Sequence, residues 1–434
     1  SRLWAIGYIT LLVLVATCAL LLLRRRSKLN ESPVITQSTR ETPDWGKRLH
    51  WSALAFAPSS LLLGVTAHIT TEIAAVPLLW VLPLALYLLT FVMTFARHPP
   101  LPHGWLLKVQ PFFVIWVAIT FARTLENSLL FILPHLLVFF VTAMVCHGEL
   151  VRRRPLVRDL TDFYLWIGIG GMMGGVFNAL IAPVLFESVL EYPLALVLAC
   201  MLRPTLATVD RRITLHDFLY PFSLFLLLAV PIFAMDFKLT LLEQYGRVAI
   251  VAAGLFFILV SMFIYSFRLK PIRFGLSIGV LATLSGMLFA TDEIVFRERS
   301  FFGVHTVKIT DSGDLRYLIH GATIHGAQNT DPARWKETLT YFHTESPVGQ
   351  LFNAPRPEPF QQIAVLGLGT GTLSCYRQPG QTWTFFEIDP VVVQIASDTD
   401  YFHYMAECAG TSEIVLGDGR LSLEKVPDDR FDLL

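Results

Sequence analysis

Long apolar runs fill this 434-residue chain from its start to about residue 290, and they decide what it can fold into. Each run ends at a charged residue, a proline or a polar loop. An α-helix needs about 20 apolar residues to cross the hydrocarbon core of a bilayer. We therefore predict about ten apolar transmembrane segments, near residues 2–23, 51–67, 76–96, 106–122, 128–147, 163–186, 190–202, 218–235, 245–267 and 272–290. Runs 51–67 and 190–202 are short enough to be re-entrant or interfacial instead.

Composition excludes several classes of protein. The chain is 54% hydrophobic and 16% charged, whereas an ordinary soluble domain has about 25% charged residues. A soluble chain of this size cannot hide so much apolar surface, which excludes a purely soluble enzyme and a disordered protein. The net charge of zero gives no field that attracts nucleic acid. Five cysteines lack the density and spacing of a disulfide scaffold or a zinc site, so we expect no metal.

Basic residues cluster in alternate loops between the apolar runs. The clusters are Arg24–Arg26 with Lys28, Lys47 and Arg48; Arg152–Arg154 with Arg158; Arg203, Arg211 and Arg212; and Arg268, Lys270 and Arg273. The positive-inside rule places these loops in the cytoplasm. If the run 272–290 spans the membrane, everything after it lies on the outer face; if it only dips in, the rest is cytoplasmic. The first run has its basic residues after it, which favours a spanning helix over a signal peptide.

From about residue 292 the chain becomes more polar and richer in glycine. Two strand-like runs, Phe302–Ile309 and Leu315–Ile319, flank Asp311-Ser312-Gly313-Asp314 and predict a β-hairpin. A helix is predicted over Pro332–Thr344, and a proline-bearing linker near 351–360.

The last part of the chain alternates strands and helices. Strands are predicted at Ile363–Leu368, Trp383–Ile388 and Ile414–Leu416, with a helix near 390–400 and a fourth strand beginning at Phe431–Leu434. Such alternation favours a doubly wound α/β sheet, which is incomplete in this chain. We therefore expect three domains: a helical membrane domain at 1–291, a small β-rich subdomain at 292–350 and a nucleotide-site domain at 351–434.

A glycine turn follows the first of these strands. Gly367, Gly369 and Gly371 permit a tight turn and a close approach of the backbone to a ligand at a helix N-terminus. Glu387 ends the next strand, where an acid can bind the two hydroxyls of a ribose. Asp418, followed by Gly419, ends the third strand, where an acid can face an adenine amino group. The pattern favours a site for an adenosine-containing ligand; the alternative is that Glu387 and Asp389 only cap the following helix.

Several of these segments resemble the S-adenosylmethionine-type, Rossmann-like fold of spermidine synthases. They are Ile363–Gly371, Phe386–Pro390, Gly417–Arg420 and Phe431–Leu434. The hairpin 302–321 and the segment Tyr341–His343 are similar to the small β-domain of those enzymes. Pro58–Thr90 and Thr161–Phe186 resemble bacterial fusion proteins that join a transporter-like (major-facilitator-like) helical domain to a spermidine-synthase-like domain. The resemblance covers nearly the whole chain.

The resemblance implies transfer of an aminopropyl group from decarboxylated S-adenosylmethionine to putrescine. It gives Glu387 the ribose and Asp418 the adenine, and it places the main catalytic aspartate beyond Asp432, outside this chain, so no catalytic residue is assigned. One departure stands out: where the family has an aspartate, the segment Ile319–Gly326 has His320, and no acidic pair follows. A histidine is a poor partner for a dication, which argues against putrescine as the acceptor.

The cysteines leave two alternatives open. Cys375 follows the glycine turn and Cys408 precedes the third strand, so a disulfide between them is as plausible as two reduced thiols. A disulfide is typical of an oxidising compartment, in agreement with an outer C-terminal domain. Cys18, Cys146 and Cys200 are interpreted as apolar residues within helices.

Most polar residues within the helical half are interpreted as residues that pack between helices. The cluster His68, Thr70, Thr71 and Glu72 is expected at the membrane interface, although an ionisable group at membrane depth is often functional. His135 and His147 are expected to be hydrogen-bonded packing residues, and Asn178 to bond between helices. The small residues Gly170, Gly171, Gly174 and Gly175 are expected to let helices approach closely.

Three functions fit these observations. The first is an integral membrane protein whose synthase-like domain does not make spermidine and serves as a structural or accessory subunit of a membrane assembly. The second is a membrane-tethered aminopropyltransferase that uses decarboxylated S-adenosylmethionine or a related adenosyl compound. The third is a transporter with a regulatory nucleotide-binding domain. We favour the first, in the bacterial cytoplasmic (inner) membrane. The C-terminal domain is expected to be periplasmic, because the basic residues cluster in alternate loops and the run 272–290 starts at a basic one. The expected partners are lipid and other membrane subunits, and not nucleic acid.

Overall fold

The chain forms two compact units, Ser1–Lys47 and Arg48–Leu434. The structure is a computed structural model that describes residues 6–10, 12–17, 20–21, 44–73, 78–120, 132–204, 213–234, 240–288, 293–310, 312–321 and 323–434. In the first unit the described residues include a short apolar helix, Ile6–Thr17. Several residues considered above lie outside the described residues: Cys18, Arg24–Arg26, Lys28, Arg211, Arg212, Asp311 and the side chain of Glu72.

Helices dominate the described chain between residues 45 and 288, in agreement with the apolar runs. We name them α1 to α9, spanning Trp45–His68, Val81–Phe95, His103–Thr120, Ile132–Arg152, Leu160–Val176, Glu191–Met201, His216–Ala234, Thr240–Ser266 and Pro271–Leu288. α1 continues into the π-helical turn Ile69–Ile73. α5 continues through a second π-helical turn, Phe177–Ile181, into the short helix Ala182–Leu185.

Within the described residues, three helical segments are long and apolar enough to cross a membrane: Trp45–Thr71, Ile132–Arg152 and Val157–Leu185. The apolar run near 51–67 is thus part of a 27-residue helical segment and is not short. The run near 190–202 does form a short helix, the 11-residue α6.

α1 and α5 pack closely through small and polar residues. A side chain at Gly170 or Gly174 would collide with the α1 backbone, at Ser52 and Phe56 respectively, whereas Gly171 and Gly175 face open space. The amide of Asn178 donates to the Ser60 hydroxyl at 2.7 Å, so it bonds between helices as the sequence predicts. Small residues permit this close approach of two helix backbones.

The charged helix ends gather at one end of the helical region, which we call the basic end. Arg48 at the start of α1 pairs with Asp162 at the start of α5, with 2.9 Å between Nε and Oδ2. Arg153, after α4, pairs with Glu149 at 2.7 Å, and the short connection to α5 keeps both helices at this end. Arg203, after α6, donates to Gln110 of α3 at 2.6 Å.

The other end of the helical region, the far end, holds the end of α1 and the starts of α4 and α6. Here the ring of His68 lies 4.6 Å from that of His135, and His135 Nδ1 lies 3.0 Å from the Tyr192 hydroxyl. Tyr192 also lies against Gly64 of α1. His135 is therefore a hydrogen-bonded packing residue, and so is His147, whose Nδ1 lies 2.9 Å from the Thr90 hydroxyl.

The chain from residue 293 begins with a four-stranded antiparallel sheet in the order β1-β2-β3-β4. Its strands are Glu293–Ser300, Gly303–Ile309, Leu315–His320 and Thr323–Asn329. The predicted hairpin corresponds to β2 and β3, which pair from His305 with His320 to Ile309 with Arg316. The helix predicted over Pro332–Thr344 is wrong, because the structure has only two short 3-10 turns there, Pro332–Arg334 and Thr340–Phe342.

A three-stranded parallel sheet follows, in the order β5-β6-β7. Its strands are Gln362–Leu366, Thr382–Glu387 and Glu413–Leu416, and the helices between residues 347 and 423 are α10 Pro347–Asn353, α11 Pro390–Ser397, α12 Tyr404–Cys408 and α13 Gly419–Leu423. Leu433 forms a parallel bridge to Ile363 on the side of β5 opposite β6, so a fourth strand begins where the sequence predicts it. Trp383, Phe385 and Ile363 form the buried centre of this sheet.

Two contacts join the antiparallel sheet to the far end of the helical region. A side chain at Gly321, in the β3–β4 turn, would collide with the carbonyl of Thr71 at the end of α1. Arg299 of β1 donates to both carboxylate oxygens of Glu191 at the start of α6, and to the carbonyl of Ser188 at 3.1 Å. The antiparallel sheet therefore contacts the end of the helical region that is opposite the basic end.

Candidate functional site

The parallel sheet brings three chain segments together at its carboxyl edge. Leu366 pairs with Phe386 and Glu387 pairs with Leu416, so β5, β6 and β7 end level with one another. Ligands of open α/β sheets bind outside this edge. The residues that the sequence singles out lie in the loops here or at the end of β6: Gly367, Gly369, Gly371, Glu387, Asp418 and Gly419.

The turn after β5 requires glycine because of its backbone conformation. Gly367, Gly369 and Gly371 have φ values of +95°, +57° and +81°, a region that side-chain-bearing residues rarely adopt. The N–H of Gly367 donates to the carbonyl of Phe386 at 2.8 Å and so fixes the turn to β6. The turn leads into a five-residue 3-10 helix, Thr372–Tyr376, which is the short helix that the sequence predicts.

Glu387 is buried, and its carboxylate binds the chain's own backbone. Oε2 accepts the N–H of Leu368 at 2.8 Å, and Oε1 accepts the N–H groups of Ile388 and Asp389 at 2.8 and 2.9 Å. Hydrogen bonds to a carboxylate are stronger than those between neutral groups. Glu387 therefore holds the glycine turn and the end of β6 together and does not cap the following helix.

Asp389 provides the helix cap, and it also connects the two sheets. Its Oδ1 accepts the N–H of Val391 at 3.0 Å at the start of α11. Its Oδ2 accepts from the Ser300 hydroxyl of β1 and from His305 Nε2 of β2, which lies 2.7 Å away. Asp389 and His305 are buried and Ser300 is partly buried, so this cluster fixes the antiparallel sheet against the carboxyl edge of β6.

Asp418 is exposed and caps α13. Its Oδ1 accepts the N–H of Leu421 at 3.0 Å. At Gly419 an added side chain would meet the end of the Leu366 side chain, so β5 and the start of α13 lie close together. Asp418 thus faces solvent at the same edge as the glycine turn, while its carboxylate satisfies a helix N-terminus as Ser, Thr or Asn does elsewhere.

Three histidines of the antiparallel sheet lie next to this edge. The ring centroids of His305 and His320 are 4.8 Å apart, and those of His320 and His325 are 5.6 Å apart. Burial lowers the pKa of His320 and of His325, and the imidazole of His305 lowers both further. His320 and His325 are therefore neutral near pH 7 and give no charge attraction to a cation. His305 is 5% exposed, and its Nδ1 has no hydrogen-bond partner.

Strand β4 packs directly on the glycine turn. A side chain at Gly369 would meet the carbonyl of His325, and one at Gly326 would collide with Thr370. Two cavities border the sheets among the described residues, and the first reaches Phe386 and Leu416 near the carboxyl ends of β6 and β7. The first, of about 300 Å³, borders Phe386, Val415 and Phe431, and the second, of about 60 Å³, borders Arg316, Trp335 and His403.

A disulfide joins Cys375 and Cys408, whose Cα atoms are 4.7 Å apart. It links the 3-10 helix after the glycine turn to α12, where the Ser374 hydroxyl also donates to the carbonyl of Tyr404 at 3.1 Å. Of the two alternatives in the sequence, the structure contains the bridge. Cys146 and Cys200 are free and buried within helices.

Sequence reasoning missed the roles of His305 and Ser300, and it placed His320 in the site without its two histidine neighbours. The signal available was the alternation of β2 and β3, which sets His305 opposite His320 once the hairpin register is known. Within the described ranges, no group of three or more His, Cys, Asp or Glu side chains is placed to hold a metal ion.

Comparisons of the chain with protein-family models, with curated proteins and with solved structures find no match.

Proposed function

We propose that the chain is a multi-pass integral membrane protein whose C-terminal sheets form a spermidine-synthase-like domain that does not make spermidine. The domain has a structural or accessory role in a membrane assembly and lies on the outer face of the bacterial cytoplasmic membrane. The observation that carries this proposal is the cluster of His305, His320 and His325 at the edge where a diamine site needs carboxylates.

The order of the parallel strands supports the Rossmann-like part of the proposal. Leu433 pairs on one side of β5 and β6 pairs on the other, so the strand order reverses next to β5. The glycine turn follows β5 at this reversal, which is the topological switch point where doubly wound sheets bind nucleotides. The resemblance to a fold built for an adenosyl ligand therefore rests on strand order and on the glycine turn.

The side chains at the carboxyl edge of the parallel sheet support a non-catalytic role. A spermidine synthase must position a diamine dication, for which carboxylates are the suitable groups. Here the neutral His320 and His325 lie next to the edge, Glu387 is engaged by three N–H groups, and β4 lies against Gly369. Glu387 and the glycine turn are thus engaged by other parts of the same chain.

Two features support the outer placement. The antiparallel sheet contacts Thr71 and Glu191 at the far end of the helical region, whereas Arg48, Arg153 and Arg203 lie at the basic end. The positive-inside rule assigns the basic end to the cytoplasm. The disulfide between Cys375 and Cys408 is typical of an oxidising compartment. Adenosyl sulfonium compounds are cytoplasmic, so an outer domain has no supply of that cofactor.

Equilibrium binding of labelled decarboxylated S-adenosylmethionine to the purified full chain tests the proposal. We expect no saturable binding and no aminopropyl transfer to putrescine. Saturable binding that is weakened by Asp418→Asn, together with transfer to any amine, would establish the aminopropyltransferase instead. Asp418→Asn is a suitable probe because asparagine also caps a helix, so the fold is retained while the charge is lost.

A further inference from the structure

The turn between β1 and β2 exposes two adjacent aromatic side chains. Ser300 pairs with Gly303, so Phe301 and Phe302 form a two-residue turn. Phe301 is 94% exposed and Phe302 is 41% exposed, and their rings touch edge to face with centroids 5.3 Å apart. Two-residue hairpin turns usually contain glycine, asparagine or aspartate, so a Phe-Phe pair needs another explanation than turn geometry.

The position of the turn is fixed by Arg299, two residues before Phe301. Its guanidinium donates to the carbonyl of Ser188 and to Glu191. Two residues of extended chain span about 7 Å at most, so the backbone of Phe301 lies within about 7 Å of that of Arg299, the residue whose side chain makes these contacts. Ser188 comes three residues after Leu185, where the candidate membrane span Val157–Leu185 ends.

The other end of β1 is also held near the far end of the helical region. α9 runs antiparallel to α6, with Gly275 against Val197 and Met201, and therefore ends near the start of α6. β1 begins at Glu293, five residues after Leu288, a distance of about 17 Å at most. β1 thus extends along the end of the helical region and is an edge strand of its sheet.

Apolar side chains at the end of the candidate span Val157–Leu185 and at the start of β1 are exposed. Val184 and Leu185, at the end of the candidate span, are 84% and 64% exposed. At the start of β1, Ile294 and Val295 are partly exposed as well. The exposed end of a candidate membrane span and the Phe301–Phe302 turn are therefore connected through Arg299.

We propose that the Phe301–Phe302 turn inserts into the interfacial layer of the phospholipid bilayer and holds β1 along the membrane surface. This inference rests on the membrane-spanning part of the proposed function. Aromatic rings are enriched at the level of lipid headgroups, where the apolar ring is withdrawn from water. A bilayer fits better than a protein partner because the turn is anchored beside the residues that end a span.

Photocrosslinking in proteoliposomes of phosphatidylethanolamine and phosphatidylglycerol tests this placement. Phe301 is replaced by its photoreactive analogue p-benzoylphenylalanine, a change at an almost fully exposed position that leaves the fold unaffected. The matched control is the same replacement at Tyr341, which is 52% exposed on the turn Thr340–Phe342 that packs on β4, the opposite edge strand. A third chain carries the analogue at Val184.

We expect a phospholipid-mass adduct at Phe301 with a yield about five times that at Tyr341 or more, and a similar adduct at Val184. Lipid adducts at Val184 with none at Phe301, or crosslinking of Phe301 to a second polypeptide, would overturn the inference and leave the membrane proposal intact. Absence of lipid adducts at both Val184 and Phe301 would overturn the membrane proposal itself.

Discussion

Arg299 of β1 and Glu191 of α6 form a bidentate ion pair, with 2.8 Å between Nη2 and Oε1 and 3.1 Å between Nη1 and Oε2. The side chains are 11% and 2% exposed, so both charges are largely withdrawn from water. The pair joins the antiparallel sheet to the far end of the helical region, where Thr71 also lies against Gly321. The sheets and the helices are therefore fixed to one another by a specific buried contact.

Arg299→Met leaves the Glu191 carboxylate buried without its partner. Removal of one member of a buried ion pair typically costs about 3–5 kcal/mol, so we expect a clear loss of thermal stability and faster proteolysis of β1. The measurement is the unfolding transition of the detergent-solubilised chain. The double variant Arg299→Met with Glu191→Gln should recover part of the loss, since no uncompensated charge is left.

Arg334→Gln is the matched control for this prediction. Arg334 pairs with Glu337 at 2.8 Å, but both side chains face solvent. Exposed ion pairs contribute little, so the unfolding transition should stay unchanged. Equal effects of Arg299→Met and Arg334→Gln would contradict the role given to the buried pair.

Reduction of the Cys375–Cys408 disulfide should destabilise the glycine turn. The bridge closes a loop of 33 residues, for which chain-entropy arguments give about 3–4 kcal/mol of stabilisation. Reductant should therefore lower the unfolding temperature of the native chain and increase hydrogen exchange in residues 367–376. The double variant Cys375→Ser with Cys408→Ser should show the same loss without reductant, and no further response to it. A response of the double variant to reductant would show that the effect arises elsewhere.

Glu387→Gln and Asp418→Asn should differ sharply in their effect on the free energy of unfolding, although the sequence predicts that both acids bind one ligand. Glu387 accepts three backbone N–H groups, and a glutamine presents its own donors to some of them, so we expect a loss of about 2 kcal/mol or more without any ligand. Asp418 is exposed and accepts one N–H, which asparagine also does, so its variant should unfold like the native chain. Similar stability of both variants would contradict a structural role of Glu387. Denaturant titration measures the difference.

The stability of the antiparallel sheet should fall in mild acid. Burial lowers the pKa of His320 and of His325, and His305 lowers both further, while Asp389 acts against this at His320 and Glu387 at His325. The unfolded chain takes up protons near pH 6.5, whereas the folded chain does so only at lower pH. The contribution of these histidines to the free energy of unfolding is therefore highest above about pH 6.5. It decreases as the pH falls towards the pKa values of His320 and His325 in the folded chain.

Unfolding temperatures between about pH 8 and pH 5.5 measure this dependence. The double variant His320→Gln with His325→Gln should show a flatter profile than the native chain. His343→Gln, at an exposed position, should keep the native profile. A native profile in the double variant would assign the acid sensitivity to other groups.

The sequence predicted the parallel strands well because their signals are local. Each of β5, β6 and β7 is a short, largely apolar run followed within two residues by glycine or aspartate, and their observed limits lie within two residues of the predicted ones. The glycine turn was predicted for the same reason, since its positive φ values admit few other residues.

The antiparallel sheet was predicted only in part because its outer strands depend on tertiary contacts. β1 reads Glu-Ile-Val-Phe-Arg-Glu-Arg-Ser without regular alternation, and it is held by β2 and by the pair of Arg299 with Glu191. The predicted helix over Pro332–Thr344 fails because Thr340 adopts φ of +57° and the Glu337 carbonyl accepts from the Tyr404 hydroxyl at 2.7 Å. The histidine cluster likewise depends on strand register, which the sequence alone does not give.

The placement of the C-terminal sheets is the central claim, and cysteine labelling in intact cells tests it most directly. Glu358→Cys places a thiol on the exposed chain before β5, and Arg154→Cys places one on the exposed chain after α4 at the basic end. The native chain, whose described free cysteines are buried, gives the background. We predict that a membrane-impermeant maleimide labels Glu358→Cys before lysis and Arg154→Cys only after it. Labelling of Glu358→Cys only after lysis would place the sheets in the cytoplasm and contradict the account.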